Sequence, residues 1–145
     1  MALPAVELVI LIDDNDIDLF VQKRFVEINQ FAERVITYNK PAFAVQALME
    51  EVRASDIPQL IFLDLNMPKL NGKQVLKEIK KNNNLTSIPV IMYSTSFAPK
   101  DIEEIRMVGA VHHLLKPSRF EDLCNALEKI LITDWQKARS ENTSL

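Results

Sequence analysis

Apolar residues fall into two alternating kinds of stretch along this chain. Five are short and dense: LVILI (Leu8 to Ile12), RVITY (Arg34 to Tyr38), LIFLD (Leu60 to Asp64), VIMYS (Val90 to Ser94) and HHLLK (His112 to Lys116). Short runs of this kind predict strands, and the three that are almost wholly apolar predict strands covered on both faces. The Arg34 to Tyr38 run is more polar, which suits a sheet edge. The intervening segments have helical spacing. Ile17, Phe20, Val21, Phe25 and Ile28 recur at three- and four-residue steps and predict one apolar helix face. Phe43, Ala44, Ala47 and Leu48 do the same after Pro41, a residue tolerated in a first helical turn. Val75, Leu76 and Ile79 follow Gly72 as a third stripe. Ile102 and Ile105 mark a shorter helix between Pro99 and Gly109. Leu123, Leu127, Ile130 and Leu131 form the last, with Ser118 and Glu121 at capping-box spacing before it.

Five strand–helix units in succession predict an α/β fold: a single doubly wound (βα)5 domain, its parallel sheet in the order 2-1-3-4-5 and flanked by five helices. Right-handed crossovers follow. There is no repeat, linker or second domain. The domain is expected to take in residues 1–145, with a core of about 7–132 and a polar tail of about 137–145, and no output domain after it.

Composition narrows the function. The 145 residues are 48% hydrophobic and 26% charged, as in a globular domain that buries a core without staples. A net charge of -3 argues against a nucleic-acid surface, so direct DNA binding is not expected. Cys124 is the only cysteine, which rules out an intramolecular disulfide and fits a reducing compartment. No run approaches membrane-span length, and the N-terminus has neither a basic region nor a long apolar one. A cytoplasmic location with no membrane partner is expected. Gly-rich phosphate loops are absent, so a bound phosphate must be held by other groups.

In an open α/β sheet, ligands bind beyond the carboxyl ends of the strands, where strand order reverses. The runs end in Asp13-Asp14, Asp64, Ser94 and Lys116, and the second in the uncharged Tyr38-Asn39. With the expected order, three carboxylates converge beside a hydroxyl and an ammonium. So close a set repels itself unless a proton or a cation sits within it. Carboxylate oxygens are the donors Mg²⁺ prefers. A phosphoryl group on Asp64 would lie between the metal and Lys116, and a carboxylate can be the nucleophile that takes it. Each residue has a plainer reading: the Asp pair as helix cap, Asp64 as turn former, Lys116 as a solvated side chain. It is the common register at the strand ends that favours chemistry.

The motifs ILIDDND, IFLDLNMPKLNG, PVIMYSTS and GAVHHLLKP, in this order and spacing, resemble the receiver domain of a two-component response regulator over about Glu7 to Ile132. The resemblance implies a flavodoxin-like fold and a role for each matching residue. Asp64 is the acceptor of a phosphoryl group from a sensor histidine kinase or a phosphotransfer protein. Asp13 and Asp14 bind Mg²⁺, Asp14 the more directly, and Asn66 adds its backbone carbonyl. Ser94 bonds the phosphoryl group and couples it to the fold. Lys116 pairs with the phosphoryl oxygens, and Pro117 follows through a bond that is usually cis in the family. His113 departs from the common pattern, since receivers usually carry a tyrosine or phenylalanine switch there; an imidazole is smaller, titrates near neutral pH and can donate a hydrogen bond. His112 should point to the opposite side of the strand, which disfavours a metal site from the pair. Thr95 and Ser96 border the phosphoryl position.

The implied function is a signalling phosphoacceptor, not an enzyme beyond its own phosphorylation and dephosphorylation. Its output surface would be formed by the fourth helix, fifth strand and fifth helix, with Lys100, Glu103, Arg106, His113, Glu121 and Glu128 among its polar residues. A downstream protein is the expected target, and a homodimer on activation is compatible with the resemblance. Two other readings compete. A Mg²⁺-dependent phosphohydrolase with an aspartate nucleophile could use Asp14-Asn15-Asp16, but lacks a cap insertion. A flavin carrier of the same fold would need the acidic first loop to hold an anionic phosphate.

Overall fold

The computed structural model describes residues 6–53, 57–67, 71–117, 119–131 and 133. Strands and helices alternate along the chain: β1 (Val6–Ile12), α1 (Asp16–Ile28), β2 (Ala32–Tyr38), α2 (Pro41–Arg53), β3 (Leu60–Leu63), α3 (Gly72–Lys81), β4 (Val90–Ser94), α4 (Pro99–Val108), β5 (His112–Leu115) and α5 (Phe120–Leu131). The strands form one parallel sheet in the order β2-β1-β3-β4-β5, as the alternation predicts, with the more polar β2 at an edge. Among the described residues no helix is long and apolar enough to cross a membrane.

Pleating divides the core in two. Val9, Leu11, Leu60, Phe62, Ile91 and Tyr93 face α1 and α5, where they meet Leu19, Phe25, Val26, Leu127 and Ile130. Leu8, Ile10, Ile12, Ile61, Leu63, Val90 and Met92 face the other way, onto Ala44 and Leu48 of α2, Val75, Leu76 and Ile79 of α3, and Ile105 of α4. Strands buried on both faces are apolar almost throughout, which is why β3 and β4 up to Ser94 read as unbroken runs.

Helix starts are set by side chains. The Asn15 carboxamide oxygen accepts from the backbone N–H groups of Ile17 and Asp18 at 3.0 Å each, and Asn71 accepts from that of Lys73 at 2.7 Å. Asn15 thus caps α1 and leaves the Asp13-Asp14 pair free of that task. At the other end of α4, Gly109 takes a φ of 123° that a side chain would strain.

The structure corrects three expectations. On α1, Ile17, Phe20 and Ile28 are 75%, 66% and 66% exposed, while Leu19, Gln22, Phe25 and Val26 are buried. This helix carries two apolar stripes, and the sheet takes the one through Leu19 and Val26. Phe43 on α2 is likewise exposed, and Ala44 and Leu48 fill the core. The Lys116–Pro117 peptide is trans, the isomer favoured by the smaller clash in most X–Pro bonds. Ser118 of the expected capping box, the side chains of Leu123, Cys124 and Leu131, and the polar tail lie outside the described residues.

Candidate functional site

Strand register brings the chain's acidic residues together. Ile12 pairs with Leu63, and the Asp64 N–H donates to the Ile12 carbonyl at 2.9 Å. Asp13 and Asp64 therefore leave adjacent strands at one level. On the other side Ser94 pairs with Leu115, and the Lys116 N–H donates to the Ser94 carbonyl at 2.7 Å. Alternation continues past the strand ends. Asp13, Asp64 and Lys116 follow the residues that face α1 and α5, whereas Ser94 and His113 follow those that face α4.

Asp13, Asp14 and Asp64 each offer a carboxylate oxygen, and these oxygens lie within 4.8 Å of one another. Asp13 and Asp64 are only 2% and 7% exposed. The Lys116 ammonium donates to Asp13, pairs with Asp18 at 3.0 Å and stands 3.5 Å from Asp64 Oδ2. Its apolar side is closed by Tyr93, whose ring centre is 5.4 Å away. Among the described residues the Lys116 ammonium meets Asp13, Asp18 and Asp64, and Asp14 stands beside them, so these groups together carry a surplus of negative charge on hard oxygen donors. A divalent cation is the group that such a set can hold.

Protonation equilibria respond to the crowding. Burial pushes the Asp13 carboxyl up to about 6, against the opposing hydrogen bonds from Lys116 and the Asn15 N–H, and the charge of Asp64 adds to the rise. Burial acts to lower Lys116, but Asp13, Asp18 and Asp64 outweigh it and hold the ammonium above its ordinary value. Both groups are charged at neutral pH.

Ser94 is fully buried and joins the site through Asn66. The Asn66 carboxamide donates to Ser94 Oγ at 2.9 Å and to the Ser96 carbonyl at 3.1 Å, while its backbone N–H donates to Asp64 Oδ1 at 3.2 Å. One residue thus ties the loop after β3 to the loop after β4. His113 lies outside the crevice. It pairs with Met92 across β4 and β5, and its ring meets Phe97 edge-on with centres 5.3 Å apart. Asp16 accepts from the Asn39 side chain at 3.0 Å and belongs to the start of α1, so Asp14-Asn15-Asp16 does not form a catalytic acid pair.

Several contributors were silent in the sequence. Asp18 is one of two acids in the first turn of α1, with Asp16, and reads as a dipole partner. The side chain of Asn66 and the ring of Tyr93 act only through tertiary contacts. Gly72 packs against the Asp64 peptide, a contact that its place at the end of the IFLDLNMPKLNG motif does not by itself reveal.

Comparison with known proteins agrees with this geometry. The family model for the response regulator receiver domain matches residues 9–128. The probable methanogenesis regulatory protein FilR2 of Methanothrix harundinacea is 30% identical over 124 residues, which cover 85% of this chain and 80% of that protein. Response regulator Rcp1 of Synechocystis sp. is 29% identical over 126 residues, 86% of each. Among solved structures, the phosphorylated cyanobacterial phytochrome response regulator RcpA aligns with a TM-score of 0.77 at 28% identity, covering 86% of this chain and 90% of that one. The Mn²⁺-bound form of Rcp1 aligns with a TM-score of 0.74 at 28% identity, over 86% of this chain and 91% of that one. The chain belongs to the response regulator receiver domains of two-component signalling.

Proposed function

We propose that Asp64 is the phosphoacceptor of this receiver and that phosphorylation there resets a protein-binding surface on α4, β5 and α5. The observation that carries the reading is the meeting of three carboxylates with Lys116 at the strand ends, the Asp64 oxygen standing 3.5 Å from the ammonium. Asp64 follows the central strand β3, between Asp13 after β1 and Ser94 at the end of β4, and its Oδ2 faces Lys116 without being hydrogen-bonded to it. Its oxygen would bond to phosphorus as the bond to the donor's histidine nitrogen breaks, the donor being a sensor kinase or a phosphotransfer protein.

Asp13, Asp14 and Asp64, with the Asn66 carbonyl, would hold Mg²⁺; the donor set is all oxygen and carries the surplus negative charge such an ion needs. The bound ion would supply charge neutralisation between the carboxylates and the phosphoryl oxygens. Two relatives support the assignment, since Rcp1 is known in a Mn²⁺-bound form and RcpA in a phosphorylated one. Lys116 would neutralise the phosphoryl oxygens from the opposite side. Ser94 accepts from Asn66, which leaves its own O–H to donate to a phosphoryl oxygen. His113, on the adjacent strand β5 and held against Phe97, would carry the change to α4.

The test is phosphorylation by a small phosphodonor in Mg²⁺, read as acid-labile, hydroxylamine-sensitive labelling. Asp64→Asn should abolish it and leave the fold intact. Equal labelling of that variant would remove Asp64 as nucleophile. Asp14→Ala should weaken Mg²⁺ binding, and unchanged affinity would take Asp14 out of the metal site.

A further inference from the structure

Lys116 is gripped from two directions. An ammonium has three N–H donors. Asp13 at the end of β1 takes one, and Asp18 Oδ2 takes a second at 3.0 Å. The third faces Asp64 Oδ2 at 3.5 Å, beyond hydrogen-bond length and therefore unspent. Tyr93 lies under the same ammonium. Asp18 is fixed by other means than the sheet: it stands in the first turn of α1, and its own N–H donates to the Asn15 cap at 3.0 Å. Its carboxylate is outside the metal-competent group of Asp13, Asp14 and Asp64.

We infer that Asp18 is a positioning residue for phosphoryl transfer, holding the Lys116 ammonium from α1 so that its remaining N–H is aimed at the phosphoryl group on Asp64. The inference rests on Asp64 being the phosphoacceptor. A lysine stem has four rotatable carbons and a freely turning head. Asp13 alone is an uncertain anchor for it, because that carboxylate is also a proposed ligand of the metal. Among the described residues the Asp18 carboxylate bonds only Lys116, and it pulls from a different element. With two donors occupied, the direction of the third is set before an anion arrives.

Charge alone gives the opposite expectation. Asp18 adds a negative charge beside a site that must accept an anion, so its removal should favour anion binding if it acts only through space. The sign of the effect therefore separates the two roles. Asp16 supplies the control: it lies in the same turn, carries the same charge, and bonds Asn39 rather than Lys116.

The experiment measures beryllofluoride binding in saturating Mg²⁺, and Mg²⁺ binding alone, in the full chain. Asp18→Ala should weaken beryllofluoride about threefold to tenfold, the range expected for a half-exposed charge-assisted bond. Mg²⁺ affinity should not fall, which also reports that the site is folded. Asp18→Asn keeps an acceptor oxygen and should lose less. Asp16→Ala should not weaken the anion. In a Lys116→Ala background, Asp18→Ala should cost nothing further. Unchanged or tighter beryllofluoride in Asp18→Ala, or an equal loss without Lys116, would overturn the role. A wild-type chain that binds no beryllofluoride would instead sink the phosphoacceptor reading, and this inference with it.

Discussion

Gly72 presses on the backbone of Asp64: a Cβ at Gly72 would lie 2.1 Å from the Asp64 carbonyl oxygen and 2.8 Å from Leu65 Cα. The Gly72 N–H also donates to the Leu65 carbonyl at 2.9 Å. The first residue of α3 is thus wedged under the peptide that carries the proposed phosphoacceptor, and no flexible side chain stands there to yield. Gly72→Ala should displace the Asp64 peptide. A loss of about 1–3 kcal/mol in stability is expected from such overpacking, together with weaker beryllofluoride binding. Gly109→Ala makes a useful contrast. Its Cβ would meet the flexible Lys80 side chain first, at 3.5 Å, but it must hold a φ of +123°. That variant should lose stability and keep its beryllofluoride affinity. Urea unfolding and an anion titration on both variants check the pair, and intact anion binding by Gly72→Ala would deny the wedge its role.

The buried Asp13 makes stability depend on pH in an unusual direction. A carboxyl raised from 3.8 to about 6 binds its proton more tightly in the folded state. Its contribution to stability is therefore full below 3.8 and is lost as pH rises through about 6. Asp13→Asn removes the titration and leaves Lys116 with Asp18 and Asp64 as partners. In EDTA, between about pH 5 and pH 7, the wild type should lose on the order of 1 kcal/mol relative to Asp13→Asn. Urea midpoints across that range give the comparison. A constant difference between the two proteins would mean that burial does not strain this carboxylate. Added Mg²⁺ should restore the wild type alone if Asp13 is a ligand.

Much of this architecture was legible because buried parallel strands leave little choice of residue. LVILI, LIFLD and VIMYS read as strands, and Asp13, Asp64 and Ser94 at their ends lie where the sheet places the crevice. The convergence of Asp13, Asp64 and Lys116 needed only the strand order, since each follows a strand by one residue. What stayed hidden depends on distance between segments far apart in sequence. Nothing local says that Asp18 reaches Lys116, or that the Asn66 side chain spans to Ser94. The orientation of α1 escapes the sequence for a related reason. Its two apolar stripes overlap at Phe25, and periodicity alone gives no means of choosing between them.

Which stripe faces the sheet can be measured directly. Leu19 is buried among the residues that face α1 and α5, and Ile17 stands in solvent. Leu19→Ala should cost about 2–5 kcal/mol, the range for emptying a core leucine position. Ile17→Ala should change stability by less than about 0.5 kcal/mol, as for an exposed site without special contacts. Comparable losses in chemical denaturation would place Ile17 in the core and reverse the assignment. The exposed set of Ile17, Phe20 and Ile28 should also raise the fluorescence of an apolar dye in the native state, and Phe20→Ser should reduce it.

Lys73 links the two helices that start beside the site. From the first turn of α3 its ammonium reaches Asp101 at 2.5 Å and Glu104 at 2.7 Å, both on α4. Asp101 also accepts from the Ala98 N–H at 3.0 Å, so one carboxylate closes the start of α4 and holds it against α3. The Lys73 hydrogen bonds keep both carboxyls below their ordinary values, and Asp101 foremost raises the lysine. These groups are partly exposed at the surface, where such pairs contribute little to global stability and are screened by salt. Their effect should be local. Lys73→Met should leave the urea midpoint nearly unchanged while speeding amide exchange across residues 98–102 at the start of α4. About 1 M salt, with a Debye length of about 3 Å, should reproduce that acceleration in the wild type and add nothing in the variant. The depressed carboxyls give their contribution above their unfolded values, and it is lost as pH falls through the folded ones. Salt-sensitive exchange that persists in Lys73→Met would show that other contacts hold α4 in place.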